Sequence, residues 1–105
     1  MKDVIYQAVR LMEASQPFVL ATVVKTSGSC PQRPGAKILI QASPKMTGTI
    51  GGGCVEGDVS LYAQKMLADR QAQPQIHEYQ LNEDIAMHDG LVCGGTMYFL
   101  IDPVW

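Results

Sequence analysis

The sequence contains few cysteines, few aromatic residues and few charges. Only three of its 105 residues are cysteine, 7% are aromatic and 17% are charged. Cys30, Cys54 and Cys93 form an odd and small set, which is not a disulfide framework and suits a reducing compartment. No two of them have CxxC spacing, so the sequence does not indicate a zinc ribbon or a thioredoxin-type site.

Long apolar runs and basic runs are also missing. The apolar stretches are too short to span a bilayer, and the first residues, Met1-Lys2-Asp3-Val4, lack the apolar core of a signal peptide. We therefore expect a cytoplasmic protein without membrane contact. The net charge is -2, and without a Lys/Arg run this argues against nucleic acid as the main ligand. The length allows one domain, residues 1–105, with one core.

Hydrophobic periodicity predicts two helices and five strands. Helical spacing of apolar residues indicates helices over 3–15 and 55–70, and β-branched or apolar runs indicate the strands. The predicted strands are 18–24, 37–41, 45–50, 76–81 and 97–101. The order α-β-β-β-α-β-β predicts an α+β domain, a small mixed sheet of about five strands with two helices packed on it.

Three consecutive glycines, Gly51, Gly52 and Gly53, separate a predicted strand from a predicted helix. Free N–H groups and the helix dipole favour an anion at such a place, although Glu56 and Asp58 in the first turn would repel one. Arg33, in a proline-rich loop, is the nearest candidate for a counter-charge. A tight strand-to-helix turn remains an open alternative, because neither GxGxxG nor the P-loop motif is present.

Two cysteines lie beside glycines, which buried packing does not require. Cys54 stands at the start of the second helix, where the dipole favours the thiolate, and Cys93 precedes Gly94 and Gly95. A small buried hydrophobe remains the alternative for each thiol taken singly. Cys30, in Ser-Cys-Pro, is better explained by loop packing. We predict that the segments around Cys30, Gly51–Cys54 and Cys93–Gly95 lie on one side of the sheet.

Four segments together resemble the XdhC/CoxI family of maturation factors for molybdenum hydroxylases. They are Thr26-Ser27-Gly28-Ser29-Cys30-Pro31, Arg33-Pro34-Gly35-Ala36-Lys37, Gly48-Thr49-Ile50-Gly51-Gly52-Gly53-Cys54-Val55-Glu56 and Cys93-Gly94-Gly95. They occur in the family's order and span nearly the whole chain, and the GTIGGGCVE stretch is the most specific of them. Family members commonly carry a second, Rossmann-like domain, which we expect to be absent from this chain.

The resemblance implies a chaperone that binds the molybdenum cofactor (molybdopterin), assists its sulfuration and delivers it to the apo-enzyme. The implied cofactor-binding residues are Arg33, Gly51, Gly52, Gly53, Cys54, Glu56, Cys93, Gly94 and Gly95. Glu56 would meet pterin N–H donors, and Cys54 and Cys93 would be thiols near molybdenum, as ligands or in a sulfur relay. We expect a non-catalytic factor.

The expected partners are a molybdenum hydroxylase apo-enzyme of the xanthine or carbon monoxide dehydrogenase type, a cysteine desulfurase and a separate Rossmann-domain protein. A homodimer is also expected, because the core is small and the apolar last strand is followed by Trp105.

Two other functions remain open. The first is a small thiol-dependent transferase or oxidoreductase, with Cys54 or Cys93 as nucleophile and His88 as base. For His88 and Asp89, however, a turn is the better interpretation. The second is a structural zinc site made by Cys30, Cys54, Cys93 and His88, although the spacing matches no standard zinc motif.

Overall fold

The computed structural model of the chain describes residues 2–28, 30, 32–43, 45–50, 53–80 and 95–105. They form two helices and five strands in the predicted order. The elements are α1 (Lys2–Glu13), β1 (Phe18–Ser27), β2 (Lys37–Gln41), β3 (Met46–Gly48), α2 (Gly53–Leu67), β4 (Gln75–Gln80) and β5 (Thr96–Val104). No helix within these ranges is long and apolar enough to cross a membrane.

Helix α1 ends two residues earlier than predicted because the chain turns left-handed at Ser15. Ser15 has φ 55°, and its N–H bonds the carbonyl of Met12 at 3.1 Å, while the N–H of Gln16 bonds that of Leu11 at 2.9 Å. This pair of bonds is the Schellman arrangement, which satisfies the last free carbonyls of a helix. Pro17 then leads directly into β1.

The sheet has the strand order β3-β2-β1-β5-β4, and every neighbouring pair is antiparallel. The predicted α+β class with five strands and two helices is confirmed, but the expectation of a mixed sheet is wrong. The long connection through α2 joins β3 to β4, which run in the same direction. These two strands lie at opposite edges of the sheet, so no parallel pair forms.

This topology gives the sheet one end at which β1, β3 and β4 finish and β2 and β5 begin. The register shows it directly, because Ser27 and Gln80 both pair with Thr96, and Gly48 pairs with Ile38. We call this end the loop end. The connections 28–36, 49–52 and 81–95 all leave or enter the sheet there.

The two helices cover opposite faces of the sheet. The larger buried cluster joins α2 to alternate residues of β1, β2 and β5, for example Val19, Ile38 and Phe99. The smaller cluster joins α1 to strand residues that point to the opposite face. It consists of Val4, Leu11, Phe18 and Leu39. Alternation of side chains along each strand therefore supplies both cores from the same strands.

Gly48 allows α1 to approach β3 closely. Its φ is +93°, and a Cβ there would lie 2.5 Å from the carbonyl oxygen of Lys37 and 2.6 Å from a methyl group of Val4. Both the positive φ and the contact exclude a side chain. The last residue of β3 is therefore fixed as glycine just before the connection to α2.

Candidate functional site

The described ends of all three predicted loops lie at the loop end of the sheet. Loop 28–36 joins β1 to β2, the glycine segment joins β3 to α2, and segment 81–95 joins β4 to β5. Gly51, Gly52, Cys93 and Gly94 lie outside the described residues, and so does His88. The proximity of Cys54 and Cys93 therefore remains a prediction. The strands next to their segments, β3 and β5, do end and begin at the same end of the sheet, as that prediction requires.

Cys30 connects the first loop to the start of β5. Its Sγ lies 3.5 Å from the carbonyl oxygen of Ser27 and 3.5 Å from that of Thr96. The residue is half-buried and packs against the larger cluster. These contacts agree with the loop-packing interpretation of Cys30. Gly95, immediately before Thr96, is buried, so the third segment enters β5 beside this thiol.

Helix α2 begins at Gly53, two residues before the predicted start, so the backbone of Cys54 lies within its first turn. The helix runs away from the loop end. One hydrogen bond shows this direction: the side-chain amide of Gln64 donates to the carbonyl of Gln41 (2.9 Å), at the far end of β2. The free N–H groups and the positive end of the helix dipole therefore face the loop end. This is the environment in which a cysteine thiolate is favoured.

Glu56 is half-buried and accepts a hydrogen bond from the hydroxyl group of Thr49. The bond spans the glycine segment, joining the residue after β3 to the first turn of α2. Sequence reasoning placed Glu56 beside the glycines but missed Thr49 as its partner. The two residues lie seven positions apart, on either side of the glycine segment, so neither helical nor strand periodicity predicts that they meet. Only the fold reveals this bond.

Arg33 is exposed on the loop between β1 and β2. Backbone bonds at the base of this loop hold it in place: Gly35 donates to the carbonyl of Val23 at 2.7 Å, and Val23 donates to that of Ala36 at 2.9 Å. Gly35 has φ +99°, which glycine adopts without strain. The guanidinium group is thus carried on a tethered loop at the loop end.

A second group of polar side chains, which sequence reasoning did not assign to a site, lies between α2 and β4. The hydroxyl of Tyr79 donates to Oδ2 of Asp58 at 2.9 Å, and Tyr62 donates to Oε1 of Gln75. The rings of Tyr62 and His77 meet edge to face, 4.1 Å between centroids. The sequence signals were Tyr62 four residues after Asp58, and the alternation of His77 and Tyr79 in β4.

Among the described residues no three His, Cys, Asp or Glu side chains are grouped so that they could hold a metal ion. The zinc alternative needs Cys93 and His88, which lie outside these residues, and the side chain of Cys54, of which only the backbone is described. That alternative therefore stays a prediction, as does the assignment of Cys54 and Cys93 to molybdenum.

Comparison with known proteins gives one consistent group of relatives. The model of the XdhC and CoxI family matches residues 11–80. The protein YqeB of Escherichia coli, described as uncharacterized, is 33% identical over 94% of this chain and 18% of its own length. A Bacillus subtilis protein named as a probable xanthine dehydrogenase component is 30% identical over 84% of this chain and 27% of its own.

The structural comparison agrees with the sequence comparisons. A crystal structure described as a xanthine dehydrogenase from Bacillus halodurans superposes with a TM-score of 0.75 and 30% identity, over 98% of this chain and 31% of that chain. The chain thus spans less than a third of the length of each of these relatives. The matched region includes Arg33, the glycine triplet, Cys54 and Glu56. The chain belongs to the XdhC and CoxI family.

Proposed function

We propose that this domain binds the molybdenum cofactor and takes part in its sulfuration and delivery to a molybdenum hydroxylase. The observation that carries the proposal is the loop end, where the N-terminus of α2 and the ends of three glycine-rich segments face the same side. Membership of the family supports it, and so do relatives named after xanthine dehydrogenase. The role is thereby linked to that class of enzyme.

The residues at the loop end match the chemical parts of such a cofactor. Backbone N–H groups of Gly51, Gly52 and Gly53 suit the phosphate, with Arg33 as the counter-charge. The thiols of Cys54 and Cys93 suit a soft metal, and Gly94 and Gly95 allow the chain to approach closely. When bound, the cofactor supplies a molybdenum centre with a replaceable sulfur ligand, and the domain's part is to hold and protect it.

Glu56 takes a more specific role in this proposal than the sequence indicated. Because its carboxylate accepts a hydrogen bond from Thr49, it joins the residue after β3 to the first turn of α2. A carboxylate has about four acceptor positions, so the remaining ones still serve an N–H donor. The negative charge of Glu56 makes Arg33 the more important for any bound phosphate.

The proposed partners are the apo-enzyme that receives the cofactor, a cysteine desulfurase that supplies sulfur, and a separate Rossmann-domain protein. We also propose a homodimer and a cytoplasmic location. Helix α1 offers the apolar surface that an association needs. Ile5, Val9 and Met12 are 48%, 48% and 60% exposed and follow one another at i, i+4 and i+7, which places them on one side of the helix.

The test is binding of molybdenum cofactor released from a purified molybdenum hydroxylase. Wild-type protein should co-elute with molybdenum and with pterin fluorescence in size-exclusion chromatography. Gly52→Val should lose both signals, because a side chain fills the space that the ligand approaches. Cys54→Ser and Cys93→Ser should lose the molybdenum signal more than the pterin signal, because each removes a soft ligand.

Cys30→Ser is the matched control, because the thiol of Cys30 already contacts two backbone carbonyls, those of Ser27 and Thr96. It should bind as the wild type does. If wild-type protein elutes without molybdenum and pterin, the proposal fails. If Cys54→Ser, Cys93→Ser and Cys30→Ser bind alike, thiol ligation is excluded. Stoichiometric zinc in the purified protein would favour the structural zinc site instead.

A further inference from the structure

A cleft between α2 and β4 has the features of a binding site for a small flat ring. Its floor is apolar and buried, and consists of Val59, Phe99 and Ile101. Its volume is about 270 Å³, slightly below the roughly 300–1,000 Å³ of pockets for drug-sized ligands. One or two fused rings fit such a space, whereas a nucleotide or a whole cofactor does not.

The walls and rim of the cleft define the chemistry that it accepts. Tyr62, His77 and Tyr79 line it with aromatic rings, which favour contact with another ring. The carboxylate of Asp58 lies at the rim and accepts one hydrogen bond from Tyr79, which leaves further acceptor positions. The lining contains no Lys or Arg among the described residues, so the cleft suits N–H donors rather than an anion.

We propose that this cleft binds a flat heteroaromatic ring that presents two adjacent N–H donors to Asp58. The 2-amino-4-oxopyrimidine edge, shared by pterin and guanine, has this pattern. A planar carboxylate accepts two parallel N–H bonds from such an edge, as it does from a guanidinium group. The bond from Tyr79 fixes the orientation of the carboxylate, while the apolar floor contacts the ring.

The position of the cleft connects it to the loop end, and in this respect the inference rests on the proposed function. Asp58 lies five residues after Gly53, which is about 7.5 Å along the helix axis. A cofactor held by its phosphate at the glycine segment can therefore extend its ring toward the cleft. Glu56, two residues from Asp58, lies about 200° away around the helix and bonds Thr49 on the other side.

The experiment compares two variants that each remove one carboxylate charge, one at the rim of the cleft and one on α1, which covers the opposite face of the sheet. Neopterin binding is followed by its fluorescence, and guanosine binding by calorimetry, with the full chain. Asp58→Asn should weaken binding at least about tenfold, as expected for loss of a bidentate pair, while Asn still offers Tyr79 an acceptor. Glu13→Gln, at the exposed end of α1, should leave the affinity within about twofold. Equal thermal midpoints of the two variants control for folding.

Each outcome decides between specific interpretations. Tighter binding of neopterin than of guanosine assigns the site to pterins, and the reverse assigns it to guanine compounds. Absence of binding of both probes by wild-type protein at about 1 mM, or equal losses in the two variants, overturns the inference. Wild-type protein that binds the whole cofactor but not neopterin refutes the cleft and keeps the proposed function. Neopterin binding by a protein that does not bind the whole cofactor supports the cleft and refutes the proposed function.

Tyr79→Phe tests the contribution of the hydroxyl group separately from that of the ring. The ring remains as a wall of the cleft, but the bond that orients Asp58 is lost. We expect a smaller loss of neopterin affinity than for Asp58→Asn. A larger loss would show that the Tyr79 hydroxyl contacts the ligand itself, and that Asp58 is not its main acceptor.

Discussion

The two faces of the sheet are built from the same strands but serve different purposes. The face under α2 buries thirteen residues in one cluster, including Phe99, Ile101 and Met66. The face under α1 buries four. The α2 face also carries the hydrogen bonds that Glu56 and Asp58 of the helix accept. By contrast, α1 has four exposed apolar or aromatic side chains, Ile5, Tyr6, Val9 and Met12. The larger core and the candidate binding residues are thus concentrated on one face, and a helix with exposed apolar side chains covers the other.

The difference between the faces predicts unequal costs for truncating a core side chain. Phe99→Ala, on the α2 face, should lower the free energy of unfolding by about 3–5 kcal/mol, because Phe99 is 1% exposed and belongs to the larger buried cluster. Leu39→Ala, on the α1 face, should cost less, about 2–3 kcal/mol, since fewer buried neighbours surround it. Urea denaturation measures both. Equal costs, or a larger one for Leu39→Ala, would break the comparison.

Gly48 tests how α1 is seated on the sheet. Gly48→Ala should lower the free energy of unfolding by about 2–4 kcal/mol, since it combines strain at positive φ with a clash against backbone. Gly35→Ala isolates the strain, because its φ is also positive but nothing lies within 4 Å of the added Cβ. Its cost should be about 1 kcal/mol. Thermal melts compare the two, and a Gly48→Ala protein as stable as Gly35→Ala would contradict the close packing.

The hydrogen bonds beside α2 should have the smallest effects on stability. Thr49→Val and Tyr79→Phe each remove one hydroxyl donor to a carboxylate, at Glu56 and Asp58. We expect each to lower the free energy of unfolding by about 0.5–1.5 kcal/mol. Gly57→Ala is the control, as its Cβ meets nothing, and it should stabilise the protein by about 0.5–1 kcal/mol.

Periodicity predicted both helices, all five strands and the α+β class, because apolar spacing reports directly which side of an element is buried. It did not predict how the strands pair. The extension of β1 to Ser27 depends on pairing with β5 past an irregularity between Val23 and Lys25, and β5 continues through Pro103 to Val104. Proline is tolerated there because β4 pairs with β5 only as far as Ile101.

For the candidate site, the sequence indicated the chemistry but not the contacts. Glycine and cysteine content pointed to the three segments, and the topology brings their strands to one end. The partners Thr49 and Tyr79 were missed, since each lies on a different element or connection from the carboxylate that it bonds. Local spacing contains no information on such pairs.

The pairing of β1 with β5 has a consequence for the order of folding. Phe18 pairs with Val104 and Ser27 with Thr96, so the central strand pair joins segments that are far apart along the chain. Loop-closure entropy delays such contacts, and domains dominated by them fold on slower timescales than helical ones. During synthesis, β1 and β2 can form a hairpin early, but the centre of the sheet is complete only after β5 has emerged. The loop end therefore depends on β5, and a ribosome-bound chain that lacks β5 cannot yet present the proposed site.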